Sequence, residues 1–245
     1  MNVRLFFSSF IITVSIFVIF CIPTGLAKPG LASSKEAFSK IFQQGQIINQ
    51  GTKFERQLRF GDAIAKYEEA TSPQYLMEDR NKSYPLWRTN HIFRYQGEYQ
   101  KALIGLDWFR QYGPKSNSLF EEEQKLKALI EWKNTGNKQS ICEFINSIKN
   151  KYKDWFPPHK LVPISTTYMS DIAELYDLIG DYDSGIKWVE SFREKDSKDK
   201  RTQDEYAALL RAFEESKQGM PKICGDDGKY CVGRATARLI QSDYF

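Results

Sequence analysis

"YQGEYQKALIGL" (Tyr95–Leu106) and "LIGDYDSGIKWV" (Leu178–Val189) share one skeleton: a glycine, an acid, a tyrosine, two polar or small residues, a small residue, then an apolar one. Apolar or small residues stand upstream of each turn, at Leu86, Asn90 and Phe93, and at Met169, Ala173 and Tyr176. These are spaced by four and three, so each trio lines one face of a helix. Ala102, Leu106 and Phe109 repeat the spacing after the first turn, and Gly185, Val189 and Phe192 after the second. Each unit therefore reads as helix, short turn, helix.

The same frame occurs earlier. Ile47, Gly51 and Phe54 mark a first helix, Phe60 follows a turn, and Ala63, Tyr67 and Ala70 line a second helix. A weaker copy has Leu129 and Trp132 before a turn at Gly136, then Ile141, Ile145 and Ile148. The equivalent positions Ala63, Ala102, Ile141 and Gly185 recur at intervals of 39 (102−63), 39 (141−102) and 44 (185−141). A period in this range points to stacked helical hairpins. An ordinary helical bundle is the competing reading, but it does not call for Gly-acid-Tyr turns in phase with the apolar pattern.

From about Ile41 to Phe192 the chain resembles the tetratricopeptide repeat family. Gly51, Phe54, Ala63, Tyr67 and Ala70 match its pattern in the first unit. Phe93, Gly97, Tyr99, Ala102 and Pro114 match in the second, and Tyr176, Gly180 and Tyr182 in the fourth. The period exceeds the family's usual 34, the third unit carries Ile141 in place of a small residue, and the terminal proline occurs once, at Pro114. The resemblance implies an all-α chain, an α-solenoid of about four hairpins. The first helix of each hairpin would line a concave groove that holds peptides or partner segments. The family's chaperone-binding carboxylate clamp is not reproduced.

Past Phe192, "REKDSKDKR" reads as a charged connection. "TQDEYAALLRAFEESKQG" then reads as a helix with a Thr202/Glu205 capping box and a Gly219 stop. Tyr206, Leu209, Leu210 and Phe213 give it one apolar face, as suits a C-terminal capping helix. A loop and a short terminal helix in "GRATARLIQSDYF" finish the chain, and no strand is required.

The N-terminus has a different character. One positive charge precedes the apolar run Leu5 to Ile22, and Gly25 and Ala27 follow as small residues. This is the order of a secretory signal cleaved after Ala27; an uncleaved membrane anchor is the competing reading. Either places the body outside the cytoplasm, periplasmic or secreted. The expected organisation is a signal peptide at 1–27, a linker at 28–40, repeats at 41–192, and a capping helix with a Cys-bracketed loop at 193–245.

In an oxidising compartment, Cys224 and Cys231 flanking "GDDGKY" suggest a local disulfide. Zinc would need further ligands, and His91 and His159 are the only histidines of the chain. Cys142 lies in an apolar helical pattern, as a buried small hydrophobe does.

Chemical motifs are sparse. The 245 residues hold no Gly-rich phosphate loop, HExxH, GxSxG or EF-hand loop. "SGIK" (Ser184–Lys187) matches S-x-x-K without its partner motifs. The formal charge of +4 is spread among interspersed acids and bases, which argues against nucleic acid as a partner. No cofactor or metal is implied. What remains is surface. Trp87, Arg88, His91, Arg94 and Tyr95 lie together off the packing face of the second unit's first helix. Arginine with aromatic residues is the composition of binding hot spots; the same residues also suit packing against a neighbouring hairpin. The expected function is non-catalytic binding of a protein or peptide in the cell envelope. An envelope enzyme acting on wall or polysaccharide is the alternative.

Overall fold

The computed structural model describes residues 31–75, 82–112, 117–153, 163–194, 200–225 and 228–242. The signal segment 1–27, Pro114, His159, and Asp226 with Asp227 lie outside the described residues. Two compact units are distinguished, Met1–Ser39 and Lys40–Phe245; the second holds nearly every described element.

The fold is all-α. Its helices are α1 (Leu31–Arg56), α2 (Phe60–Ala70), α3 (Ser83–Tyr95), α4 (Tyr99–Tyr112), α5 (Asn117–Thr135), α6 (Gln139–Lys151), α7 (Pro163–Ile179), α8 (Tyr182–Arg193), α9 (Lys200–Lys217) and α10 (Arg234–Gln241). From α2 to α10, helices adjacent in sequence pack on one another, and α10 also packs on α7.

The repeat is written into the backbone at the turns. Leu58, Gly97, Gly136 and Gly180 all adopt left-handed conformations, with φ of 58°, 72°, 72° and 72°. Their intervals are again 39 (97−58), 39 (136−97) and 44 (180−136). The Glu98 amide donates to Phe93 O at 2.8 Å and the Gly97 amide to Arg94 O at 2.9 Å. Asp181 and Gly180 repeat the pair onto Tyr176 and Asp177, as Arg59 and Leu58 do onto Phe54 and Glu55. Such paired bonds satisfy the last helical carbonyls and stop the helix. The acid after Gly180 starts the next helix: Asp181 accepts from the Ser184 amide at 3.3 Å.

Every second helix buries the predicted trio. Ala63, Tyr67 and Ala70; Ala102, Leu106 and Phe109; Ile141, Ile145 and Ile148; and Gly185, Val189 and Phe192 are all buried. Side chains fit around absent ones. A Cβ on Gly51 would lie 2.7 Å from the Tyr67 ring, and one on Gly185 would lie 2.5 Å from the Phe213 ring. In the second hairpin the exchange runs the other way: Asn90 fills the space left by Gly105, where a Cβ would meet its Oδ1 at 2.0 Å.

Several expectations need correction. Helix α1 begins at Leu31, inside the segment 28–40 read as a linker. Helix α9 begins at Lys200, so Thr202 is a buried residue of its first turn rather than the cap. Gly219, at φ 80°, does stop it, with the Met220 amide donating to Glu215 O at 3.0 Å. A strand pair is present, β1 (Ile223–Cys224) and β2 (Cys231–Val232), antiparallel with Cys224 opposite Cys231. These two cysteines form a disulfide, and Cys142 is free and half-buried. Most consequential is the route of the terminal segment. Val232, Ala237 and Ile240 share a core cluster with Leu58, Phe60, Ala63, Tyr67 and Ile92 of the first two hairpins.

Candidate functional site

The five residues singled out on α3 are brought together, but most of their chemistry is directed at neighbouring helices. Arg88 grips Glu55 of α1 with two bonds, Nε to Oε2 at 3.1 Å and Nη2 to Oε1 at 2.6 Å. Glu55 is wholly buried and also accepts from the Tyr67 hydroxyl at 2.9 Å. Arg94, buried at 3% exposure, donates from Nη1 to Glu122 of α5 at 2.9 Å and from Nη2 to Glu174 of α7 at 2.8 Å. Lys125 joins the cluster, 2.6 Å from Glu122 and 3.0 Å from Asp171. Trp87 meets Phe109 edge-on at 5.3 Å, and Tyr95 stacks on Phe60 at 6.2 Å. His91 lies between Trp87 and Tyr95 with its Nε2 unpartnered.

The electrostatics follow from burial. Burial pushes His91 well below its ordinary range, and the Arg94 guanidinium pushes it further, so the ring is neutral at pH 7. Burial works against charge on Glu122 too, but Lys125 and Arg94 hold its carboxyl well below the usual range. For Glu174 burial prevails over Arg94 and raises the carboxyl. Ion pairs buried this deeply fix relative helix positions more than they add net stability. Arg88 thus directs Nε and Nη2 at Glu55, and Arg94 directs Nη1 and Nη2 at Glu122 and Glu174, which leaves Arg94 Nε over.

Acids of α7 and α9 nevertheless engage a helix. Helix α10 enters through Gly233, where a Cβ would lie 2.0 Å from Asp177 Oδ2. Asp177 of α7 accepts from the Thr236 amide at 2.8 Å and the Thr236 hydroxyl at 2.6 Å. A carboxylate against the first turn of a helix is favourable, because unpaired amides and the helix dipole both point at it. Two acids of α9 complete the clamp. Glu215 accepts from Arg234 at 2.7 Å, and Glu205 accepts from Arg238 at 2.6 Å and from Ser242 at 3.0 Å.

The fit is incomplete. A cleft of about 70 Å³ on the α3–α7 side of α10 includes Arg94, Glu174, Asp177 and Lys222 in its lining. Arg94 Nε and Asp177 Oδ1 are buried there without a partner. Burial raises the Asp177 carboxyl, opposed by its bonds from Thr236. A second cleft of about 160 Å³, lined by Arg211, Glu215, Arg234 and Arg238 among others, opens between α9 and α10.

Sequence reasoning missed Asp177, Glu205 and Glu215. Acids are abundant here, with 31 Asp and Glu, so only the fold singles these out. The available signal lay in the ligand instead: "GRATARLIQ" places small residues on one face and Arg234 and Arg238 four apart on another. Among the described residues no cluster of His, Cys, Asp or Glu could hold a metal ion, and no helix is long and apolar enough to cross a membrane. No family model, curated protein or solved structure matches the chain.

Proposed function

We propose that this chain is a non-catalytic, exported protein of tetratricopeptide-like helical hairpins that binds a protein or peptide partner in the cell envelope. The observation that carries the reading is the docking of α10. Helix α7, the first helix of the last hairpin, already holds a short helix through Asp177, and the following helix α9 pairs Glu205 and Glu215 with its arginines. Helix-in-groove binding is a general mode of partner recognition, with apolar anchors for affinity and flanking charges for selectivity. Export is supported by the leader-like segment at 1–27 and by the Cys224–Cys231 disulfide, since such bonds persist in oxidising compartments. Retention of Leu5 to Ile22 would make the same protein a membrane-anchored binder.

The geometry favours binding over catalysis. The carboxylates of Glu122, Asp171 and Glu174 each have a cation within 4 Å. The cleft lined by Glu174, about 70 Å³, is well below the roughly 300 Å³ of ordinary small-molecule sites. Mild amine cross-linking in intact cells, followed by purification of the full chain, tests the reading. A discrete adduct with a different protein is expected; recovery of monomer alone refutes it.

A further inference from the structure

Helix α10 packs on α7 and α9. The exposed stretch Gln218 to Lys222, with the left-handed Gly219 and then Pro221, leads into the disulfide-closed β1–β2 pair, whose buried Val232 precedes the Gly233 cap of α10. The apolar side of the helix is well buried, at Ala235, Ala237 and Ile240. Its polar side chains Arg234, Thr236 and Arg238 are paired, but the seat beneath them is incompletely filled. One cleft lies on each flank, and the two unpartnered groups in the first, Arg94 Nε–H and Asp177 Oδ1, are a donor and an acceptor that α10 leaves unused. Buried groups left in that condition cost free energy that a better-matched ligand would recover.

We infer that the acidic face of α7 and α9 beneath α10 is an exchangeable docking groove, that α10 is its resident competitor, and that its partner in trans is a short basic helix beginning with a small residue. This rests on the binding function proposed above and specifies its ligand. The chemistry is read from the seat. Asp177 and the absence of room at Gly233 require a helix N-terminus without a side chain at the cap. A hydroxyl three residues on answers Asp177 Oδ2, as Thr236 does. Cations four residues apart answer Glu215 and Glu205. A branched apolar residue past the second cation fills the place of Ile240 beside Phe60 and Tyr67. A polar side chain reaching the α3–α7 cleft would pair the two groups α10 leaves open, which gives the incoming helix its advantage over the tethered one.

The resident helix is at high effective concentration because it is tethered. Binding in trans is therefore weak until α10 is dislodged. The probe is a labelled synthetic peptide of the chain's own Gly233–Gln241 sequence, titrated by fluorescence anisotropy into the full chain. Gly233→Val, which drives a side chain into Asp177, is expected to bind the peptide at least ten-fold more tightly than the unaltered chain. Thr236→Val removes one bond with little change of size; it is read in the same way should Gly233→Val fail to show native circular dichroism. Adding Asp177→Asn to either variant should return the affinity at least ten-fold. A peptide with both arginines replaced by glutamate should not bind. Folded variants that take up the peptide no better than the unaltered chain overturn the inference. So does a dimer formed by exchange of α10 between copies, seen by sedimentation at the same concentrations. Cross-linking in cells that captures a partner equally with and without Gly233→Val, while the titration succeeds, separates the two claims: the groove would be real and the partner docked elsewhere.

Discussion

Arg94→Met is the sharpest probe of the inner cluster. Methionine keeps the length of the side chain and removes the charge. It leaves Glu174, buried and already raised in pKa, without its cation, and it removes one of two cations from Glu122. Breaking a buried pair by deleting one partner typically costs 3–5 kcal/mol, because the other charge stays desolvated. Lys125 remains 2.6 Å from Glu122, so the loss falls mainly on Glu174 and should lie near the lower end, about 3 kcal/mol. For a domain of this size that is a drop of roughly 6–12 °C in Tm. The deficit should depend on pH. Glu122 has a depressed pKa, so its stabilisation is present above the unfolded carboxyl value of about 4.3 and fades as pH falls toward its folded value. Glu174 has a raised pKa, so lowering the pH protonates it in the folded state first and relieves the unpaired charge. Glu174 therefore narrows the gap between variant and unaltered chain as pH falls from 7 to 5, whereas the Glu122 contribution stays in place over that range. Urea midpoints at the two pH values read this directly. An unchanged midpoint at pH 7, or a gap that widens at pH 5, refutes the reasoning.

Ala102→Leu should destabilise by about 1–3 kcal/mol through overpacking at a buried helix contact, whereas exposed Gln100→Leu should shift the urea midpoint little. Gly185→Ala should lower Tm measurably, because its Cβ would sit 2.5 Å from the Phe213 ring; a neutral result would mean α8 and α9 do not approach this closely. Thiol counting on the denatured, unreduced protein after removal of residues 1–27 should find one free thiol, Cys142. Reducing the disulfide should cost up to about 2–3 kcal/mol by the chain-entropy relation, read as a lower urea midpoint.

The hairpins were legible because periodic signals are local. Apolar trios at helical spacing and a left-handed residue at each turn are dictated by the chain's own geometry, and both recur in the structure at the same intervals. The first turn was the hardest to read, since Leu58 takes the conformation glycine takes elsewhere. The strip on α3 was read as one helical face that suits either binding or packing against a neighbouring hairpin, and spacing alone does not choose between the two. A helical face can be read from spacing, but whether Arg94 meets solvent or Glu174, which is 80 residues away, depends on tertiary approach. The return of α10 to Phe60 and Tyr67 is non-local in the same sense, and nothing in the spacing of "GRATARLIQ" names its destination.

A partner seated on the acidic face of α7 and α9 leaves its mark on the cross-linked adduct from intact cells, where mapping should find attachment through Lys222, the exposed lysine in the lining of the α3–α7 cleft. Attachment through Lys101 of α4 or Lys151 of α6, with Lys222 unmodified, would contradict that seating.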